Sequence, residues 1–255
     1  MTRVLIVLPS SSYRVADFVA AAKMLRAETV IATNAAQAMA GDMAYPLVRI
    51  DPRDPEWSAG RIVEFAQRFP LDAVVAADEE GVVMAAVAAR ELGLPHNPPE
   101  AVRVTRDKAA MRQVFADAAL PQPLFRVIGA DDDPVAACSE VGFPCVVKPV
   151  SLSASRGVIR VDGIAEVADT VARIRTITAE AGRDPGEPIL AESFVSGTEV
   201  ALEGLLVDGH LEVLALFDKP DPMNGPYFEE TILVTPSRLA HHVQDEIATI
   251  SRAAA

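Results

Sequence analysis

At 255 residues, half of them hydrophobic and 23% charged, the chain is long enough to bury a full core, in one large domain or in two or three lobes. Its formal net charge of −13, with no basic stripe to offset it, excludes a protein that coats nucleic acid or anionic membrane, so an anionic ligand would need a local pocket of cations. The apolar run in MTRVLIVLPSSSY is too short for a signal core or a membrane span, and the chain reads as soluble and cytoplasmic.

RVLIVL (3–8), ETVIAT (28–33), PLVRI (46–50) and DAVVAA (72–77) are short runs rich in Val and Ile, and they alternate with helical patterns at 14–26, 57–69 and 80–92. That alternation predicts βαβ units, a parallel sheet and a Rossmann-like N-terminal lobe. The first strand runs into Leu8-Pro9-Ser10-Ser11-Ser12 where a dinucleotide fold places G-x-G-x-x-G, which argues against NAD. Asp78-Glu79-Glu80-Gly81 ends the last of these strands, and its acids suit the N-terminus of the following helix better than a substrate role. GLPHNPPEAV (93–102) interrupts the periodicity, and a helix is predicted over 105–120 with Thr105 as its N-cap. Strand 124–128, helix 134–141, strands 144–148 and 157–161, helix 164–180 and strand 187–192 then make an α+β lobe. From 198 onward two antiparallel strands turn at Asp208-Gly209, and EETILVTPS reads as a further strand. The last helix, 237–252, carries an apolar stripe of Leu239, Val243, Ile247 and Ile250 that is expected to be exposed. Cys138 and Cys145 fit no zinc or redox spacing and read as packed, reduced thiols.

Three places carry chemistry. In FPCVVKPVSLSASRGV (143–158) an apolar strand ends in Lys148, and Pro149 cannot continue the ladder. The loop beyond supplies hydroxyls at Ser151, Ser153 and Ser155 and a close-approach position at Gly157, the composition of a phosphate cover. A buried lysine there requires an anionic partner. Lys108 stands in the first turn of its helix, where the dipole disfavours a cation and favours a compensating anion. In ILAESFVSGTEV (189–200), Glu192 ends a strand, Ser193-Phe194-Val195 form an apolar connector with free backbone groups for a flat base, and Glu199 can accept from ribose hydroxyls.

In this order the segments resemble the ATP-grasp superfamily of ADP-forming carboxylate–amine ligases, from about Val74 to the C-terminus, and FDKPDPMNGPYFEETILVTPSRL resembles the branch that joins amino acids or similar small carboxylates to amines. The resemblance implies that Lys108 and Lys148 bind the ATP phosphates under the loop 151–157, that Glu192 to Val195 hold adenine, and that Glu199 holds the ribose. Glu230, with Glu229 beside it as an alternative register, matches a position associated with the substrate's amino group. The implied cofactors are ATP and Mg2+, the implied partners are small carboxylates and amines with neither nucleic acid nor membrane, and a homodimer is compatible. The implied fold is α/β and α+β: a Rossmann-like N-terminal domain over 1–104, an ATP-grasp helix and lid subdomain over 105–197, and a partial C-terminal lobe over 198–255. The family's magnesium ligands, a glutamate and an asparagine in an E-x-N-x-R-like strand, have no counterpart before residue 255, and His241-His242 does not replace them, since adjacent helical residues do not share a face. A non-catalytic ATP-binding module and a purine-pathway or biotin-carboxylase-type ligase remain the alternatives.

Overall fold

The computed structural model describes residues 2–10, 12, 14–35 and 46–255; Ser11 lies outside them. The chain forms two compact units, Met1–Arg106 and Asp107–Ala255.

In the first unit, β1 (Arg3–Val7), β2 (Glu28–Thr33), β3 (Leu47–Arg49) and β4 (Ala73–Ala76) form a parallel sheet in the order β3-β2-β1-β4. Leu5, Val7, Val30 and Ala32 pack on one face with Ile62 of α2 (Pro55–Arg68) and Met84 of α3 (Val82–Glu91). Ile6, Leu8 and Ile31 pack on the other with Ala22 of α1 (Val15–Met24). Burial on both faces explains why these strands read as continuous apolar runs. At the end of β4 the Asp78 carboxylate accepts from the Glu80 N–H at 3.3 Å, and Glu79 pairs with Arg106.

The helix expected over 105–120 is two helices. α4 (Pro99–Arg106) opens on a proline, which suits a first helical turn, so the proline-rich stretch starts a helix as well as ending one. Thr105 is not a cap: it lies in the last turn of α4 and its hydroxyl donates to the Val102 carbonyl at 2.8 Å. The break falls at Asp107, whose extended backbone lets its carboxylate accept from Ala109 and Ala110 N–H and cap α5 (Lys108–Asp117).

The second unit is built on the antiparallel sheet β5-β8-β6-β7, formed by β5 (Phe125–Ile128), β6 (Cys145–Pro149), β7 (Ile159–Val161) and β8 (Ile189–Ser193). α6 (Pro134–Val141) and α7 (Val167–Glu180) cover one face, where Cys145, Val147, Ile159, Val161, Ile189 and Ala191 meet Val171 and Ile174. Cys138 and Cys145 are free and fully buried in this core, and the hydrogen bond that the Cys145 thiol donates to Cys138, with burial, pushes Cys145 up and out of the range of a reactive thiol. Strand alternation leaves Val146, Lys148, Leu190 and Glu192 on the opposite face.

β9 (Val200–Val207) and β10 (His210–Asp218) form a hairpin whose turn residues Asp208 and Gly209 both take positive φ, 49° and 77°. EETILVTPS does not form the predicted strand. Only Val234 bridges to Asp218, because the Asp218 carboxylate turns to the Ser237 hydroxyl at 2.5 Å and the Arg238 N–H at 2.8 Å, and Pro236 has no N–H to offer. That arrangement also delays the last helix, α8 (His241–Ala254), so Leu239 falls outside it. The predicted stripe is covered in part: Val243 and Ile247 are half-buried where α8 packs on β10, and Ile250 is exposed.

Candidate functional site

β6 and β8 pair with Val146 opposite Glu192 and Lys148 opposite Leu190, which sets Lys148 diagonally across from Glu192 on the face away from α6 and α7. Lys148 Nζ donates to Glu192 Oε2 at 2.5 Å, and Arg112 Nε of α5 donates to Oε1 at 2.6 Å. The Glu192 side chain is 6% exposed. Two cations therefore share one buried carboxylate, and the triad carries a surplus positive charge in a chain of net charge −13. Burial pushes the Glu192 carboxyl up, but the Arg112 hydrogen bond and the Lys148 charge outweigh it and hold it below its usual range.

Lys108 joins this end of the site through the loop after β6. Its backbone N–H donates to Val150 O at 3.2 Å, and its ammonium donates to the carbonyls of Val150 and Leu152. The loop itself is wound tightly: Ala154, Ser155 and Gly157 take φ of 56°, 54° and 74°. Only glycine adopts that conformation cheaply, so the serine-rich composition alone does not explain the loop. The Ser151 hydroxyl donates to Glu187 at 2.5 Å, while the Ser153 and Ser155 carbonyls accept from Arg156 and Val158.

The connector after Glu192 differs from the expectation of free backbone groups. Ser193 N–H donates to Leu124 O at 2.8 Å and Phe194 N–H to Pro144 O at 3.1 Å, because β8 extends to Ser193 beside the chain entering β5. The Phe194 ring lies under the Arg160 guanidinium, 4.5 Å from its centroid, and Val195 is exposed. That aromatic–cation stack is a flat surface on the same face of the sheet as Lys148.

A second triad lies at the end of the β9–β10 hairpin. Lys219 follows β10 and its ammonium donates to both Glu199 and Glu230. Its side chain is 8% exposed, whereas Glu199 and Glu230 are 47% and 50% exposed. Burial lowers the lysine pKa, but the two carboxylates more than offset it and raise it above its ordinary value. Here two anions share one cation, and the surplus charge is negative.

Thus the structure joins Lys148 to Glu192 and Glu199 to Glu230, and anchors Lys108 to the 151–157 loop. Two participants escaped the sequence reading. Arg112 lies four residues after Lys108 on α5, hence on the same helical face. Lys219-Pro220 ends the apolar run LEVLALFDK just as Lys148-Pro149 ends FPCVVK, and that repeated pattern could have identified it. A cleft of about 730 Å³ between the loop 154–159, α7 and the segment 227–230 includes Ser155, Gly157 and Glu230. Its charged lining residues Arg156, Arg173, Glu229 and Glu230 are all exposed, so the triads, with their buried ionised groups, define the chemistry better than the cleft. Among the described residues, no group of three or more His, Cys, Asp or Glu is placed to hold a metal ion. Among the same residues no helix is long and apolar enough to cross a membrane.

A parallel α/β unit followed by an antiparallel sheet, a serine-glycine loop and a charged hairpin defines the architecture of an ATP-grasp protein. Family models match in the same order, the ATP-grasp N-terminal domain over residues 19–96 and the ATP-grasp domain over 141–255. The two models together place the chain in the ATP-grasp superfamily. It is 29% identical over 216 residues to alanine–anticapsin ligase of Bacillus subtilis (strain 168), covering 76% of this chain and 44% of that protein. It is 33% identical over 123 residues to D-alanine–D-alanine ligase of Laribacter hongkongensis (strain HLHK9), covering 48% of this chain and 37% of that protein. The crystal structure of L-amino acid ligase from Bacillus licheniformis superposes with a TM-score of 0.81 at 24% identity, over 100% of this chain and 61% of that one, which shows the shared fold. The chain thus spans less than half the length of these curated relatives.

Proposed function

We propose that the chain forms the nucleotide-binding part of an ATP-dependent carboxylate–amine ligase acting on an amino acid or similar small carboxylate. The observation that carries this reading is the buried Arg112–Glu192–Lys148 triad, whose surplus positive charge sits on the sheet face beside a serine-glycine loop. Such a charge is stabilised by an anion, and a triphosphate is an anion that also supplies a flat base for the Phe194–Arg160 stack and hydroxyls for Glu199.

In this reading the substrate carboxylate attacks the γ-phosphorus, breaking the bond to the β–γ bridging oxygen and giving an acyl phosphate and ADP. The amine then attacks the acyl carbon, phosphate leaves, and the ammonium proton is lost. The chain's own contribution is positional and electrostatic: Lys148 and Lys108 hold phosphate oxygens, Arg112 keeps Glu192 neutralised, and the loop 151–157 excludes water from the transferred group. Mg2+ would accompany ATP and help neutralise its phosphates. The boundaries 1–104, 105–197 and 198–255 are proposed for the N-terminal domain, the lid subdomain and part of the C-terminal lobe. Calorimetric titration with ATP and an ADP-release assay over pairs of amino acids test the reading. ATP binding with amino-acid-dependent ADP release is the result expected, and absence of ATP binding would refute it.

A further inference from the structure

Family resemblance pairs Glu199 with the ribose and Glu230 with the substrate's amino group, yet both carboxylates accept from one ammonium, that of Lys219. Two groups bonded to one nitrogen atom lie within two hydrogen-bond lengths of each other, about 6 Å. The ribose of ATP is separated from the γ-phosphorus by the full run of the triphosphate, and the carboxylate that is phosphorylated, with its amino group, lies beyond that phosphorus. One lysine cannot readily serve both ends.

Charge does not decide between the two: the triad's surplus negative charge would attract a substrate ammonium, the Lys219 ammonium beside it would repel one, and neutral hydroxyls meet neither effect. The geometry is also that of a presenting group: Lys219 lies behind, 8% exposed, and holds two half-exposed carboxylates forward, so that each keeps a second oxygen for a donor in front. A vicinal diol offers two O–H donors on adjacent carbons, which matches two acceptors presented side by side.

We propose that Glu230 works with Glu199 at the nucleotide sugar, the pair accepting from the 2′- and 3′-hydroxyls of the ribose, and that Lys219 is the positioning residue that presents both carboxylates. The inference rests on the ATP-binding reading above. It leaves the amino group of the substrate to another acceptor.

The test is equilibrium binding of ATP, 2′-deoxyATP, 3′-deoxyATP and inorganic tripolyphosphate to the parent chain and to Glu199→Gln, Glu230→Gln, Lys219→Met and Lys219→Arg, with thermal melts to verify folding. The parent binds ATP more tightly than either deoxynucleotide. Glu230→Gln shrinks one of the two discriminations about tenfold, the effect of one hydrogen bond to a charged group, and Glu199→Gln shrinks the other. Lys219→Met shrinks both and leaves tripolyphosphate affinity unchanged, which a general structural loss would not do; Lys219→Arg keeps both. Should Lys219→Met fail to fold, Glu230→Gln decides alone. ATP binding with unchanged discrimination in Glu230→Gln overturns the inference and leaves the ATP-binding reading standing, and an accompanying loss of L-alanine or L-leucine binding returns Glu230 to the amino group. No ATP binding by the parent overturns both.

Discussion

The two triads of the second unit are mirror images in charge. Arg112–Glu192–Lys148 sets two cations about one acid, whereas Glu199–Lys219–Glu230 sets two acids about one cation. They also differ in which member is hidden: the shared carboxylate is buried in the first and the shared ammonium in the second. In each triad the minority charge is the most deeply buried member and every buried charge keeps a partner, but only the negative triad holds its majority charges half-exposed, whereas Lys148 and Arg112 are themselves largely buried. The positive one suits phosphate, the negative one suits hydroxyl donors, and one nucleotide offers both in a fixed order. In a chain of net charge −13, that local positive polarity cannot come from composition and has to be built by pairing.

The largest expected effect comes from removing the hidden carboxylate. Glu192→Ala leaves Lys148 and Arg112 facing each other without a counter-ion, and urea unfolding should show a loss of about 3–5 kcal/mol. Lys148→Met is gentler on folding, because Arg112 still neutralises Glu192, but it should weaken ATP binding by about 2–5 kcal/mol in calorimetry. Equal losses of stability and affinity in that variant would show that the triad is merely structural. At the negative triad, Glu199→Ala should narrow the gap between ATP and 2′- or 3′-deoxyATP by about 1.5 kcal/mol, and a gap of parental size would remove Glu199 from the sugar.

The smallest effect distinguishes the triads by pH. The folded pKa of Glu192 is depressed, so its stabilisation is present above the unfolded carboxyl value and is lost as pH falls through the folded one. The folded pKa of Lys219 is raised, so its stabilisation is present below the unfolded lysine value and is lost as pH rises through the folded one. Melting temperatures should therefore show a shallower acid limb in Glu192→Gln and a shallower alkaline limb in Lys219→Met, each variant leaving the opposite limb as it is in the parent.

What the sequence disclosed follows a physical divide. Strand and helix order, the hairpin turn at Asp208-Gly209 and the placing of Lys148 on the strand are local or periodic signals, and they read directly, although the strand runs one residue further, to Pro149, which still pairs with Ile189. The pairing of Glu192 with Arg112 spans 80 residues, and no periodicity encodes a contact of that range. The errors were local competitions. Asp107 outbid Thr105 for the α5 cap because an extended aspartate reaches two N–H groups at once. EETILVTPS has β-forming residues, but Pro236 has no N–H to carry its ladder past the Val234–Asp218 bridge, and the chain beyond is held instead by the Asp218 carboxylate. Of the connector Ser193-Phe194-Val195, the Ser193 and Phe194 N–H groups are taken by the Leu124 and Pro144 carbonyls, a pairing that no local pattern announces.

The segment that carries Glu230 also closes the side of a sheet. β7 is a three-residue outer strand, and Arg160 at its centre donates its N–H to Pro226 O at 2.8 Å and its guanidinium to Asn224 O at 2.8 Å. Uncovered strand margins recruit other chains and seed aggregates. Gly225 makes the cover fit: its φ is +84°, and a side chain there would meet the Arg160 Cβ at 2.8 Å. Any larger residue at Gly225 should lift the segment away and leave the margin of β7 open to another chain.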